Sequence, residues 1–275
     1  MIFKIKNKKK EDYWCHGSLP LWSKEFPVVI SWSPKSGCTT ILKWFLEQNG
    51  LLEDAYKFDP WVHEYREKVL YSQQGYKKNC ESCYRENKDK KLIIKIIRDP
   101  IKRSVSSYLH FLRYMANSAK WIVVRELDYW KISNGISQQK GISFKQFLNF
   151  IINQNQRGYR IDPHLGFQFD KIQDPKVQKF IPIEHLSSEL IHIEKRYNLK
   201  NININTISDS PHNNIPQKSH KWPLNGSSHP ADHEYEKKLG VPGPEVFIDD
   251  ETIQLIKNAY WRDFDAYSRY YNIYL

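Results

Sequence analysis

Twice in this chain an apolar run stops at a short polar loop and gives way to an amphipathic helix, and that order restricts the fold more than any other feature. The first run, Pro27-Val28-Val29-Ile30-Ser31-Trp32, leads into the loop Ser33-Pro34-Lys35-Ser36-Gly37-Cys38-Thr39-Thr40. Behind the loop, Ile41-Leu42-Lys43-Trp44-Phe45-Leu46 has apolar positions at helical spacing, and Asn49-Gly50 close the helix. The second run, Leu92-Ile93-Ile94-Lys95-Ile96-Ile97, is mostly β-branched, as expected of a strand buried on both faces. Arg98-Asp99-Pro100 follow, and Pro100 suits the first turn of a helix, where its missing N–H is no loss. That helix turns Val105, Tyr108, Leu109 and Leu112 to the core and carries Ser104, Ser106 and Ser107 on its opening turns. Strands alternating with helices predict an α/β class: a single domain with a central, mostly parallel sheet flanked by helices.

Both loops are suited to phosphate. A helix N-terminus leaves backbone N–H groups unpaired and carries partial positive charge, and Gly37 lets the backbone come close to an anion. Lys35 adds a mobile charge, and Thr39 and Thr40 add hydroxyl donors. In the second loop, Arg98 stands at the carboxyl end of its strand, where open α/β sheets bind their ligands. Ser106, eight residues on, can converge with it on one anion, the Arg offering a planar fork of donors and the Ser a single adjustable one.

Lys35-Ser36-Gly37-Cys38-Thr39-Thr40 after one strand, with Arg98-Asp99-Pro100 and Ser106 after a later one, resembles the sulfotransferases that use 3′-phosphoadenosine 5′-phosphosulfate (PAPS). The resemblance implies a P-loop-like domain in which Lys35, Ser36, Gly37, Cys38, Thr39 and Thr40 hold the 5′-phosphosulfate, while Arg98 and Ser106 hold the 3′-phosphate. Cys38 departs from the cytosolic small-molecule branch, which usually has Thr there, and is more like the carbohydrate branch. Tyr260-Trp261-Arg262-Asp263-Phe264 is similar to the Tyr-x-x-Asp-Phe pattern that closes many carbohydrate-type domains. Ile183-Glu184-His185-Leu186 with the helix to Tyr197, and Pro211-His212-Asn213-Asn214, look like their middle region. The implied activity is transfer of a sulfuryl group from the PAPS nucleotide to a hydroxyl or amine of an acceptor, a glycan by this branch. No metal is expected, because sulfate carries less charge than a transferring phosphoryl group.

Such a transfer builds charge on the bridging oxygen of the donor, and Lys35 is the candidate to stabilise it. The acceptor must lose a proton, which calls for a His or carboxylate within hydrogen-bond reach. In relatives the base commonly lies between the two phosphate loops, and the one His in that interval is His63, in Trp61-Val62-His63-Glu64-Tyr65-Arg66. It reads as an exposed side chain on a polar insertion, with Glu64 and Arg66 able to orient it or grip an acidic acceptor. His164, in Asp162-Pro163-His164-Leu165-Gly166-Phe167-Gln168, is the rival base and an acceptor contact, by its likeness to an Asp-x-His segment of carbohydrate sulfotransferases.

Two other classes compete. A P-loop kinase or ATPase shares the strand-loop-helix logic, but here the Lys precedes the Gly, Gly-x-x-x-x-Gly-Lys-[Ser/Thr] is missing, and Asp99 is the one obvious strand-end carboxylate for Mg²⁺. A basic nucleic-acid-binding protein would suit a net charge of +11 and nine Trp, yet no RNA- or DNA-binding motif is present. Much of that charge excess sits in Lys4-Ile5-Lys6-Asn7-Lys8-Lys9-Lys10, which reads as a solvated tail.

No stretch approaches the roughly twenty apolar residues needed to span a bilayer, and no apolar run with a small-residue cleavage site opens the chain. The expectation is a cytoplasmic protein with no membrane span: a bacterial or viral version of a family whose Golgi members are anchored, or a chain trimmed at its start. Cys15, Cys38, Cys80 and Cys83 make no secreted-type disulfide framework. Cys80-Glu81-Ser82-Cys83 is half of a zinc knuckle with no second pair nearby, so two ordinary loop thiols are expected. The organisation predicted is a basic arm over 1–26 and one domain over 27–275, with a polar insertion at about 51–90 and a long Asn/Ser/Pro-rich loop at 201–247. Ser143 and Gln146 form a capping box for a helix bearing Phe144, Phe147, Leu148 and Ile151. Residues 153–176 read as irregular, Phe180-Ile181-Pro182-Ile183 as a strand at an edge or end, and Asp249-Asp250-Glu251 as the opening of a closing helix whose apolar face runs from Ile253 to Tyr267.

Overall fold

The structure, a computed structural model, describes residues 18–271 except 89, 116–121, 159–160, 209–221, 224 and 241, and excepting also the side chains of 114, 115 and 122. The Lys4 to Lys10 run, Cys15 and Pro211-His212-Asn213-Asn214 therefore lie outside the described residues.

Strand β1 (Val28–Ser31) is buried at every position, and β2 (Leu92–Ile97) at all but its first, as runs without polar alternation require. They pair in parallel with Val28 opposite Leu92, and β3 (Lys179–Pro182) adds to β2 with Ile94 opposite Lys179. Among the described residues this gives one small parallel sheet in the order β1-β2-β3. β3 is an edge, and Pro182 ends it, where a missing N–H breaks no ladder. Mixed α/β architecture with a parallel sheet and flanking helices agrees with the sequence; the sheet is smaller than the helical content suggests.

Helix α1 (Cys38–Gln48) follows β1, and α5 (Pro100–Met115) follows β2. One apolar cluster gathers the sheet with Ile41, Leu42, Trp44, Phe45 and Leu46 of α1. A second gathers α5 with α7 (Phe144–Gln156), α11 (Asp250–Ala259) and α12 (Trp261–Tyr267). The expected capping box of Ser143 with Gln146 forms, and Asp249, expected only to open its helix with negative charge, makes a second box with Thr252. The closing helix is not continuous, because the chain leaves helical geometry at Tyr260, dividing α11 from α12.

Residues 51–90 differ most from their reading as a polar insertion. They form α2 (Leu52–Phe58), α3 (Val62–Tyr65), a π-helical turn (Arg66–Leu70) and α4 (Tyr76–Glu86). Most of their charges face outward, Arg66 being the buried exception, while Leu52, Val62, Leu70, Tyr76 and Tyr84 join the cluster that includes the sheet. Cys80 and Cys83 are not loop thiols: both are buried on the inner face of α4, and burial pushes the Cys80 thiol well above its ordinary range. Among the described residues, no group of three or more His, Cys, Asp or Glu is placed to hold a metal ion.

Two more segments are more ordered than their composition implies. Leu21 bridges to Ile30, and Phe26 packs against Trp44 and Phe45, so the stretch just before β1 belongs to the core. Within 201–247, after α6 (Ile122–Ser133) and α8 (Leu186–Tyr197), the chain forms α9 (Ile204–Ile207) and α10 (His233–Leu239) and buries Trp222, Ala231 and Phe247. Residues 157–158 and 161–173 are irregular as expected, although α7 reaches Gln156 and a 3-10 turn covers Asp174–Lys176. No helix among the described residues is long and apolar enough to cross a membrane.

Candidate functional site

The loop between β1 and α1 is shaped by two residues with left-handed backbone, Lys35 (φ 68°) and Gly37 (φ 79°). Gly37 caps α1 without any side-chain acceptor, and the first turn of α1 carries no acid, so its N–H groups stay open to an incoming anion. A Cβ at Gly37 would stand 2.6 Å from Ile183 Cδ1 and hold an L-residue in the left-handed region, so a larger residue must push the Ile183 side chain aside and carry backbone strain. Lys35 has no such freedom; an L-residue in that region costs on the order of 1 kcal/mol, a strain of the kind stored at functional sites.

The loop opens onto a cavity of about 1270 Å³. Of the residues singled out in the sequence, Lys35, Gly37, Cys38, Thr39, Thr40, His63, Arg98, Ser106 and His164 all line it. Ser36 does not: its side chain is buried and donates to Gln168 Oε1 (3.2 Å), behind the wall. Burial, followed by the nearby guanidinium groups of Arg113, Arg98 and Arg103, lowers the Lys35 ammonium from 10.5 to about 8. Arg98 Nη1 donates to the carbonyl of Lys35 at 3.1 Å, joining the two loops directly. The other cations of the cavity have carboxylate neighbours: Lys102 with Glu184 at 3.2 Å, Arg66 with Glu67 at 2.6 Å, and Arg113, whose Nε donates to Glu236 at 2.8 Å. Among the described residues no carboxylate makes an ion pair with Lys35 or Arg98, and burial depresses both.

His63 is not the exposed loop residue that the sequence suggests. It sits on α3 with only 8% of its surface exposed, its ring 4.6 Å from that of Trp61 and its Nε2 2.9 Å from Thr39 Oγ1. His164 also lines the cavity, where its Nδ1 meets Asp162 Oδ1 at 2.8 Å and its ring stacks on His110 at 4.4 Å. The Arg66 guanidinium lies over Trp32, 4.3 Å from the ring centre.

Sequence reasoning missed His110, Arg113, Trp32 and the framework behind them. The first two had a readable signal: Lys102, Ser106, His110 and Arg113 follow one another at helical spacing, so the stripe of α5 that carries Ser106 into the cavity carries them too. Of the framework, only Asp263 carried a signal, through the closing motif. Arg103, buried beneath the wall, donates to the carbonyls of Pro34 (3.2 Å), Pro163 (3.3 Å) and Gly166 (2.8 Å) and faces Asp263 at 3.8 Å. Asp263 in turn accepts from the backbone N–H groups of Gln168 (3.1 Å) and Phe169 (2.8 Å). The Asp of the closing Tyr-x-x-Asp-Phe stretch therefore holds the segment that presents His164.

A model of the Sulfotransferase family matches residues 24–272. The chain belongs to the sulfotransferase family. The match takes in both strand-end loops, the closing motif and every cavity-lining residue except Ser18. A sulfotransferase is a transferase that needs room for a sulfonate donor and an acceptor, and both loops facing one cavity satisfy that need. No curated protein and no solved structure matches this sulfotransferase.

Proposed function

We propose that this sulfotransferase moves a sulfuryl group from PAPS to a hydroxyl, or an amine, of a carbohydrate acceptor, with 27–275 working as one P-loop-like domain. The observation that carries the reading is the pair Lys35 and Arg98: two depressed cations on one cavity wall, each at a strand end, with no carboxylate in ion-pair contact. Buried charge is costly, and Glu184 and Asp99 near Arg98 offset only part of that cost, so an anionic ligand with two separated phosphates removes more of it. The N–H groups from Gly37 to Thr40, with Lys35, bind the 5′ side; Arg98 and Ser106 bind the 3′-phosphate.

The donor supplies the sulfuryl group, and the protein supplies position and charge. Lys35, charged near neutral pH and close to its pKa, stabilises the negative charge that grows on the departing phosphate oxygen and is able to pass it a proton. His63, within hydrogen-bond reach of the first loop through Thr39, takes the proton from the attacking hydroxyl. His164, oriented by Asp162, contacts the acceptor. Trp61, partly exposed at the cavity, offers an apolar ring suited to a sugar, while the Trp32 ring is already covered by Arg66.

Thermal protection tests the nucleotide. The expected result is protection by adenosine 3′,5′-bisphosphate without Mg²⁺ and little effect of Mg-ATP; the reverse pattern assigns the site to a kinase or ATPase.

A further inference from the structure

The two phosphate loops approach each other through one side chain that belongs to neither. Gln168 is 2% exposed, and every polar atom it owns is engaged. Its Oε1 accepts from Ser36 Oγ of the first loop (3.2 Å) and from the backbone N–H of Arg98 in the second (3.1 Å). Its Nε2 donates to the carbonyl of Arg98 at 2.7 Å. Its own backbone is pinned as well: the N–H by Asp263, and the carbonyl by the ammonium of Lys95 in β2 at 2.6 Å. A side chain fixed at its root by two buried charges and holding a loop on each side is a spacer of set length.

On the reading that the loops grip the two phosphates of one nucleotide, we propose that Gln168 is a positioning residue that sets the distance between the 5′ and 3′ phosphate sites. It touches no ligand; it acts through Ser36 and Arg98. The consequence is specific. A ligand with two phosphates gains affinity over one with a single phosphate because the second contact is intramolecular, and that gain depends on the sites being held at the right separation. A ligand that uses only the first loop has nothing to lose when the separation drifts.

Gln168→Met keeps length and removes both hydrogen-bond ends. Gln168→Glu is nearly isosteric but has no donor for the Arg98 carbonyl and sets a carboxylate against it. Ser36→Ala cuts only the first-loop end, replaces a small buried group, and reports even if the Gln168 variants do not fold. Two further ties, Arg98 Nη1 to the Lys35 carbonyl and Arg103 Nε to the Pro34 carbonyl, remain in all three, so the loops loosen without separating.

The readout is the ratio of dissociation constants for adenosine 5′-phosphate and adenosine 3′,5′-bisphosphate, measured by calorimetry on the full chain. The expected result is a fall in that ratio of about tenfold for Gln168→Met and Gln168→Glu, and of about threefold for Ser36→Ala, with monophosphate affinity within about twofold of wild type. A residue that merely supports the fold lowers melting temperature and leaves the ratio alone; an unchanged ratio in Ser36→Ala and in whichever Gln168 variants fold overturns the proposal. A wild-type protein with no preference for the bisphosphate overturns the donor reading itself, and this inference with it, before any variant is made.

Discussion

Replacing Lys35 by Met should stabilise the free protein while removing its activity. Burial is the main cause that brings the Lys35 ammonium from 10.5 to about 8, with the guanidinium groups of Arg113, Arg98 and Arg103 adding to it, and that fall corresponds to ~3 kcal/mol of disfavoured charge. Because the folded pKa is below the unfolded one, the cost is fully present below about pH 8 and fades as pH rises toward 10.5. Lys35→Met keeps the apolar stem and discards the charge, so at pH 7 it should gain up to ~3 kcal/mol, and the gain should vanish at high pH. The decisive assay is proton uptake on binding adenosine 3′,5′-bisphosphate, from calorimetry in buffers of different ionisation enthalpy. At pH 8 about half of the free protein carries a neutral Lys35, and the incoming phosphates pull its pKa back up, so about half a proton should enter per ligand bound. The same experiment on Lys35→Met should show none. No uptake by wild type, or equal uptake by Lys35→Met, would refute the assignment of that charge.

Arg98→Ala and Ser106→Ala should weaken the bisphosphate more than adenosine 5′-phosphate, by about 1.5–3 kcal/mol for the Arg, as charge-assisted hydrogen bonds are worth; equal losses for both ligands would mean that neither residue reads the 3′-phosphate. Gly37→Ala places a Cβ 2.6 Å from Ile183 Cδ1 in a left-handed conformation, so donor affinity should fall below detection and stability by ~2 kcal/mol, read by calorimetry and melting; a variant that binds normally would show that the loop does not need its close approach. His63→Ala should reduce turnover about 10²–10⁴-fold, remove the acidic limb of the pH profile and, since His63 is buried against Trp61, lower the melting temperature by a few degrees. His164→Ala should weaken the acceptor and keep that limb; the opposite pattern exchanges their roles.

Local rules in the sequence account for β1, β2 and the helices behind them, since burial on both faces, Pro100 and the Ser143 and Asp249 capping boxes each act over a few residues. The loop residues of the site were legible for the same reason. His63 was misjudged because α3 and α4 surround their few buried apolar residues with lysines and glutamates, so that composition hides a packed face. Gln168 and Arg103 left no local trace, and Asp263 showed only through the closing motif: their partners lie 60 to 160 residues away in the chain, and contacts of that reach have no sequence period.

The central claim is that two strand-end loops hold the two phosphates of one donor in a single cavity. A crystal structure with adenosine 3′,5′-bisphosphate tests it directly. The account predicts the 5′-phosphate on the N–H groups of Gly37 to Thr40 beside Lys35, and the 3′-phosphate on Arg98 and Ser106, with His63 facing the 5′-phosphate from the empty side. A bisphosphate bound in the reverse sense, or held by one loop while the other stays empty, would contradict it.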